Sequence, residues 1–146
     1  MRLLARYAHW LHERWPAGQV EPLPQVDENG MSTIAGLYIV GDLTGVPLLK
    51  FSADTGARAV RHITADADFQ RTQQQDDREA LDLAIIGAGV SGMAAALEAR
   101  QAGLSFAIAE ANEPFSTLIN LPKGKPIYTY PTAMEPTGNL RFRSEV

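Results

Sequence analysis

Cysteine is absent from this 146-residue sequence. Its absence excludes disulfide scaffolds, thiolate zinc sites, iron–sulfur ligation and CxxC redox chemistry within the chain. Histidine is scarce as well, with three residues. His9 and His12 are three positions apart on a predicted helix, but exposed or capping side chains explain them better than a metal site does. We therefore expect no metal site and no cysteine-based catalysis.

Long apolar runs and clusters of positive charge are also missing. No stretch approaches the roughly 20 apolar residues that a membrane-spanning helix needs, and Leu3-Leu4-Ala5 is too short for the core of a signal peptide. The net charge is −4 without a dense basic patch, which argues against nucleic acid as the main partner. We expect a cytoplasmic protein with neither a membrane span nor a nucleic-acid partner.

The most informative segment that is present is an apolar run that leads into a glycine-rich stretch. It reads Leu83-Ala84-Ile85-Ile86-Gly87-Ala88-Gly89-Val90-Ser91-Gly92. The pattern predicts an apolar strand over 83–86 and a helix that starts near Val90 and ends before Gly103. Such a junction is typical of a dinucleotide-binding turn, where the first N–H groups of the helix favour an anion. The predicted cofactor contacts of this turn are Gly87, Ala88, Gly89, Val90, Ser91 and Gly92.

Each glycine of the turn has its own predicted role. Gly87 allows the sharp turn, and Gly89 removes a side chain where a pyrophosphate would press on the backbone. Gly92 allows the helix to pack closely on the strand. A GxGxxG pattern alone is weak evidence, because such turns also occur for packing alone. Its context therefore matters.

An acidic residue closes the next predicted strand. Residues 105–109 alternate well enough to predict a half-buried or fully buried strand, which ends on Glu110. Glu110 follows Gly87 by 23 positions, and an acid near that spacing accepts hydrogen bonds from ribose hydroxyls and repels a 2′-phosphate. Its neighbour Ala111 is included among the predicted contacts. The alternative is that Glu110 is a solvated surface acid.

A second glycine-acid pair occurs earlier in the chain. The short apolar run Leu37-Tyr38-Ile39-Val40 predicts a buried strand, and Gly41 and Asp42 follow it. Open α/β sheets place ligand contacts at such strand ends, so Gly41 and Asp42 are candidate cofactor contacts. A helical pattern follows over 52–63. An equally open alternative is that Asp42 is a turn or helix-capping residue.

The remaining segments set the predicted domain organisation. An amphipathic helix is predicted over 2–15, and Asn29-Gly30 predicts a tight turn within a polar loop. Residues 64–80 lack apolar periodicity and are interpreted as a polar linker. The predicted division is 1–63 for the N-terminal helix, loop and Gly-Asp segment, 64–80 for the linker, and 81–146 for the glycine-turn segment with its following loop.

Prolines and glycine in the region after Glu110 predict a long loop without a long helix. A loop of this kind beside a nucleotide turn is often a ligand wall. Lys123 and Lys125 are either phosphate contacts or solvated lysines, and the sequence leaves this open.

Two motifs together resemble the two-dinucleotide flavoprotein family that includes thioredoxin reductases and bacillithiol-reductase-like proteins. The first is the glycine turn with Glu110, and the second is residues 37–42 followed by a glycine-containing helix over 55–59. The resemblance implies FAD as cofactor, with the pyrophosphate at the turn and the adenosine ribose at Glu110. It also implies that Asp42 holds the ribityl chain and that residues 48–51 lie near the isoalloxazine ring.

The resemblance implies an α/β, Rossmann-like FAD/NAD(P)-binding fold, in which a small parallel sheet has flanking helices and is incomplete in this chain. It further implies an oxidoreductase in which hydride passes from NAD(P)H through the flavin to an unidentified acceptor. The chain departs from the family in three ways, because its two motifs occur in reversed order, and because a nicotinamide-binding domain and a redox CxxC are missing. We still expect residues 37–40 to pair in parallel with 83–86, giving three strands.

Several alternatives remain open at the level of the sequence. The chain is expected to be a piece of a longer flavoprotein or to form a homodimer. An NAD-binding domain suits the turn and Glu110 equally well. A non-catalytic interaction module that docks through the aromatic helix over 2–15 is the third reading. No residue stands out as an acid, base or nucleophile, and the choice between NADH and NADPH is not determined.

Overall fold

The computed structural model describes residues 22–74, 80–124 and 130–141. The predicted helix over 2–15 lies outside them. The elements, in chain order, are a 3₁₀ helix Gly41–Thr44, helix α1 Leu49–Ala65, helix α2 Ala67–Gln73, strand β1 Leu83–Ile86, helix α3 Val90–Gln101, strand β2 Phe106–Ala109 and helix α4 Ser116–Ile119. They form a mixed α/β structure with a small parallel sheet and flanking helices, which confirms the predicted fold class.

The two strands pair in parallel, with Leu83 opposite Phe106 and Ile86 opposite Ala109. Strand β2 forms and ends before Glu110 as predicted, but its predicted burial is wrong because three of its four residues are exposed. Helix α3 packs on one face of the sheet only. The other face carries four exposed apolar residues, namely Ala84, Ile86, Ala107 and Ala109. Ile86 is 83% exposed.

Small side chains form the core between α1 and α3. Val60 of α1 clusters with Ala95 and Ala99 of α3, and partly buried side chains of the sheet pack against this cluster. Gly56 of α1 lies so close to α3 that an added Cβ would overlap the carbonyl oxygen of Ser91. Because glycine and alanine carry so little side chain, the two helix backbones approach closely.

Residues 37–40 do not form the predicted buried strand. The segment makes a single antiparallel bridge, between Tyr38 and Met31, and Leu37 is 45% exposed. Its backbone groups bond to the preceding loop, with the N–H of Ile39 donating to the carbonyl of Gly30 at 2.8 Å. The expected third strand is therefore wrong for the described residues, in which the sheet has two strands.

The preceding loop contains the predicted tight turn. The N–H of Gly30 donates to the carbonyl of Asp27 at 3.1 Å, and Gly30 has φ +87°. A carboxylate oxygen of Asp27 also accepts the N–H groups of Asn29 and Met31 at 2.8 and 2.9 Å. These bonds fix the shape of the loop, and in that shape its own backbone groups pair with residues 37–40.

The segment interpreted as a linker is partly helical. Asp66 caps α2, because one of its carboxylate oxygens accepts the N–H groups of Asp68 and Phe69, each at 2.9 Å. An N-cap of this kind stabilises a short helix without an apolar face. The linker role and the three-part division remain predictions.

Residues 130–141 lie against α1 and α3 and are held there by buried charged side chains. Lys50, Asp54 and Glu98 are each less than a tenth exposed. Their bonds are Lys50 Nζ to the carbonyls of Pro131 (2.9 Å) and Thr132 (3.1 Å), the N–H of Thr137 to Asp54 (2.8 Å), and the N–H of Asn139 to Glu98 (3.0 Å). Buried charges persist when they are hydrogen-bonded in this way.

Candidate functional site

The glycine-rich turn joins β1 to α3 as the sequence predicts. Gly87 has φ +94°, a left-handed conformation that glycine adopts without strain. Its N–H donates to the carbonyl of Ala109 at 2.7 Å, which ties the turn to the end of β2. A Cβ added at Gly92 would overlap the carbonyl oxygen of Gly87, whereas one added at Gly89 would meet nothing within 4 Å. Gly92 thus permits close packing, and the space beside Gly89 is open.

Helix α3 begins at this turn, and the described residues provide no acceptor for its first backbone N–H groups. Gly89 is its N-cap and contributes no side-chain bond. The first bond within the helix runs from the N–H of Met93 to the carbonyl of Gly89 at 2.9 Å. The N–H groups of Val90, Ser91 and Gly92 precede that bond and lie at the positive end of the helix dipole. N–H groups in this position favour a nearby anion.

Glu110 is bonded to the turn. One carboxylate oxygen accepts the N–H of Ala88 at 2.7 Å, and the other accepts the N–H of Asn112 at 3.1 Å. These N–H groups, that of Ala88 above all, hold the pKa of the Glu110 carboxyl below its usual range, with a smaller effect from the N–H of Ala111. Each carboxylate oxygen has a second lone pair, so the exposed carboxylate can also accept hydroxyl groups.

Phe115 is a structural residue of the site that the sequence analysis missed. Its N–H donates to the carbonyl of Ala88 at 2.9 Å, and its φ is +57°. Ala88 is therefore held on both sides, by Glu110 and by Phe115, and is 1% exposed. A left-handed phenylalanine has no sequence signal, because bulky side chains do not favour that conformation. The predicted loop folds onto the turn and then forms the short helix α4.

The structure brings the Gly-Asp segment to the start of α3. Gly41 is buried with φ +75°, and an added Cβ would overlap the side chain of Ser91. The N–H of Gly41 donates to Thr55 Oγ1 at 3.0 Å. The two motifs therefore meet through α1 and α3, although residues 37–40 do not join the sheet.

Asp42 lies in the 3₁₀ helix next to this contact, and its side chain is exposed. One carboxylate oxygen accepts the hydroxyl of Ser52 at 2.6 Å. The side chain caps neither the 3₁₀ helix nor α1, since neither has a side-chain cap. The helix-capping half of the alternative for Asp42 is therefore wrong, whereas the turn half is confirmed, because the carbonyl of Asp42 accepts the N–H of Gly45 at 3.0 Å; its carboxylate is accessible.

Three lysines belong to segments that the sequence analysis placed near a cofactor. Lys50, from residues 48–51, donates to the carbonyls of residues 131 and 132. Lys123 is exposed, and Lys125 lies outside the described residues. Within the described ranges, no group of three or more histidine or acidic side chains is arranged to hold a metal ion. No helix among those described residues is both long and apolar enough to cross a membrane.

The donors and acceptors of the site fit a dinucleotide. Backbone N–H groups beside open space at Gly89 are of the kind that a pyrophosphate binds, and the exposed carboxylates of Glu110 and Asp42 are able to accept hydroxyl groups. A family model described as FAD binding domain matches residues 82–123, which include the turn and Glu110. This match supports FAD as the cofactor and a FAD-binding flavoprotein family. The comparisons found no matching curated protein and no matching solved structure.

Proposed function

We propose that this chain binds FAD across the N-terminus of α3, as the FAD-binding part of a pyridine nucleotide-dependent flavoprotein oxidoreductase. The observation that carries the proposal is the packing of Gly41 against Ser91. It brings the Asp42 segment to the same helix end that Glu110 reaches through Ala88. The family match over 82–123 favours FAD over the NAD alternative.

The residues of the chain supply binding and orientation in this proposal. The N–H groups of 90–92 bind the pyrophosphate, and Glu110 accepts the hydroxyls of the adenosine ribose. Asp42 accepts hydroxyls of the ribityl chain. FAD, when bound, supplies the capacity to accept and donate hydride. No side chain of the site is assigned a proton-transfer role.

The electron donor in the proposal is NAD(P)H, and the resemblance of the second motif favours a thioredoxin reductase-like arrangement. The nicotinamide-binding part is then contributed by a longer form of the protein or by a partner. Among the described residues none covers the apolar face of the sheet around Ile86, which is compatible with such a second component because parallel sheets are normally covered on both faces.

The test is the visible absorbance of the purified chain after incubation with FAD and desalting. We expect a retained flavin band that Asp42→Ala and Glu110→Ala each weaken. Asp68→Ala is the matched control, because Asp68 is an exposed acid that pairs with Arg71 on α2, away from the turn. Circular dichroism checks that each variant is folded.

Two results would contradict the proposal. A folded wild-type chain that stays colourless after desalting removes the FAD function. Retention of NAD, measured by the same desalting step, without retention of FAD would favour the NAD-binding alternative instead.

A further inference from the structure

A buried hydroxyl lies directly behind the exposed carboxylate of Asp42. Ser52 of α1 is 4% exposed, and its hydroxyl donates to one oxygen of Asp42 at 2.6 Å. Thr55 accepts the N–H of Gly41 at 3.0 Å and donates to the carbonyl of Ser52 at 3.2 Å. The Gly41-Asp42 unit is thus held to α1 through both its backbone and its side chain.

The bond from Ser52 restricts a side chain that is otherwise exposed. An exposed aspartate samples several rotamers, and a ligand that needs one of them must bear the cost of ordering it. Ser52 occupies one acceptor position of Asp42 and leaves the other carboxylate oxygen for a ligand. Since Ser52 is buried, it acts on a ligand through Asp42.

The same helix sets where Asp42 lies relative to the glycine turn. Ser91, in the first turn of α3, packs against Gly41 on one side and against Gly56 of α1 on the other. The position of Asp42 therefore depends on α1, whereas the Glu110 end depends on β2 and Ala88. The two ends of the candidate site have separate supports.

We propose that Ser52 is a positioning residue that orders Asp42 for the flavin half of FAD and has no part in binding the adenosine diphosphate half. This inference rests on the proposed function. The inference predicts that loss of the Ser52 hydroxyl weakens the binding of FAD and not that of ADP. General damage to the fold would weaken the binding of both ligands.

The experiment measures the affinities of FAD and of ADP for the full chain by titration calorimetry. Ser52→Ala is expected to weaken FAD binding by about three- to tenfold, the scale of one lost side-chain ordering, and to leave ADP binding unchanged. Thr64→Ala is the control, because it removes a hydroxyl of α1 that donates only within that helix, to the carbonyl of Arg61.

A double-mutant cycle tests whether Ser52 acts through Asp42. In the Asp42→Ala background, Ser52→Ala is expected to cause no further loss of FAD affinity. If Ser52→Ala does not fold, Ser52→Cys carries the test, because the thiol is of similar size and is a weak donor.

Three results would overturn the inference while leaving FAD binding in place: an unchanged FAD affinity in Ser52→Ala, an equal loss for FAD and ADP, or a further loss of FAD affinity in the Asp42→Ala background. A folded wild-type chain that binds no FAD is a different failure, because it removes the proposed function and the inference with it.

Discussion

Gly89 and Gly92 are three residues apart, and their surroundings predict opposite effects of an added methyl group. Gly89 has φ −72°, which any residue adopts, and its Cβ position is open. Gly89→Ala is therefore expected to change the free energy of unfolding by no more than about 0.5 kcal/mol, while reducing FAD retention because the methyl group occupies the pyrophosphate side of the turn. Urea denaturation and the desalting assay measure the two effects.

Gly92→Ala is expected to act on stability, unlike Gly89→Ala. The methyl group would overlap the carbonyl oxygen of Gly87, so we expect a loss of about 1–3 kcal/mol in unfolding free energy. Equal stability of the two alanine variants would contradict the assigned roles of the two glycines.

Glu110 makes the stability of the folded chain depend on pH in the acid range. Its pKa is lowered in the folded chain, first by the N–H of Ala88, so its contribution to stability is present above the unfolded-state pKa of about 4.3. That contribution is lost as the pH falls through the lower folded-state pKa. We expect an NMR titration to show the Ala88 amide shifting with Glu110, and Glu110→Gln to abolish that shift. A Glu110 that titrates at or above the ordinary value would contradict the bond.

At the level of elements, Glu98 links α3 to α1 and to the 130–141 segment. Its carboxylate accepts Arg61 Nε at 3.0 Å and the N–H of Asn139 at 3.0 Å. Glu98→Ala leaves these donors without their acceptor, so we expect a loss of about 1–3 kcal/mol in unfolding free energy. Chemical denaturation measures this loss, with the exposed Asp68→Ala as control. Equal stability of the two variants would show that the segment is held by other contacts.

Elements whose signals are local were predictable. Strand β1, the turn and α3 follow from an apolar run, three glycines and a stop at Gly103. The apolar run 37–40 carries a similar local signal but finds its partners in the loop around Gly30. A short apolar run predicts an extended segment, whereas the choice of its hydrogen-bond partner depends on which other backbone lies nearby.

For the molecule as a whole, ligand binding and stability are linked. A ligand that binds only the folded state stabilises it by about 2.7 kcal/mol at a free concentration of 100 Kd. We expect FAD to raise the Tm of the wild-type chain in a concentration-dependent way and Asp42→Ala and Glu110→Ala to reduce that rise. Differential scanning fluorimetry at several FAD concentrations measures it. A rise of equal size in both variants would place the ligand elsewhere.

The strand, turn and helix around Gly87, and the position of Glu110 at a strand end, follow from local sequence, because periodicity and glycine conformation act over neighbouring residues. The folded chain alone reveals that Gly41 packs on Ser91, that Phe115 and Glu110 both bond to Ala88, and that residues 37–40 lie outside the sheet. These contacts join residues far apart in the chain. Many backbone N–H and carbonyl groups could pair with one another equally well. The close packing of the small residues of α1 and α3 selects the pairings that form, because it fixes which segments lie side by side.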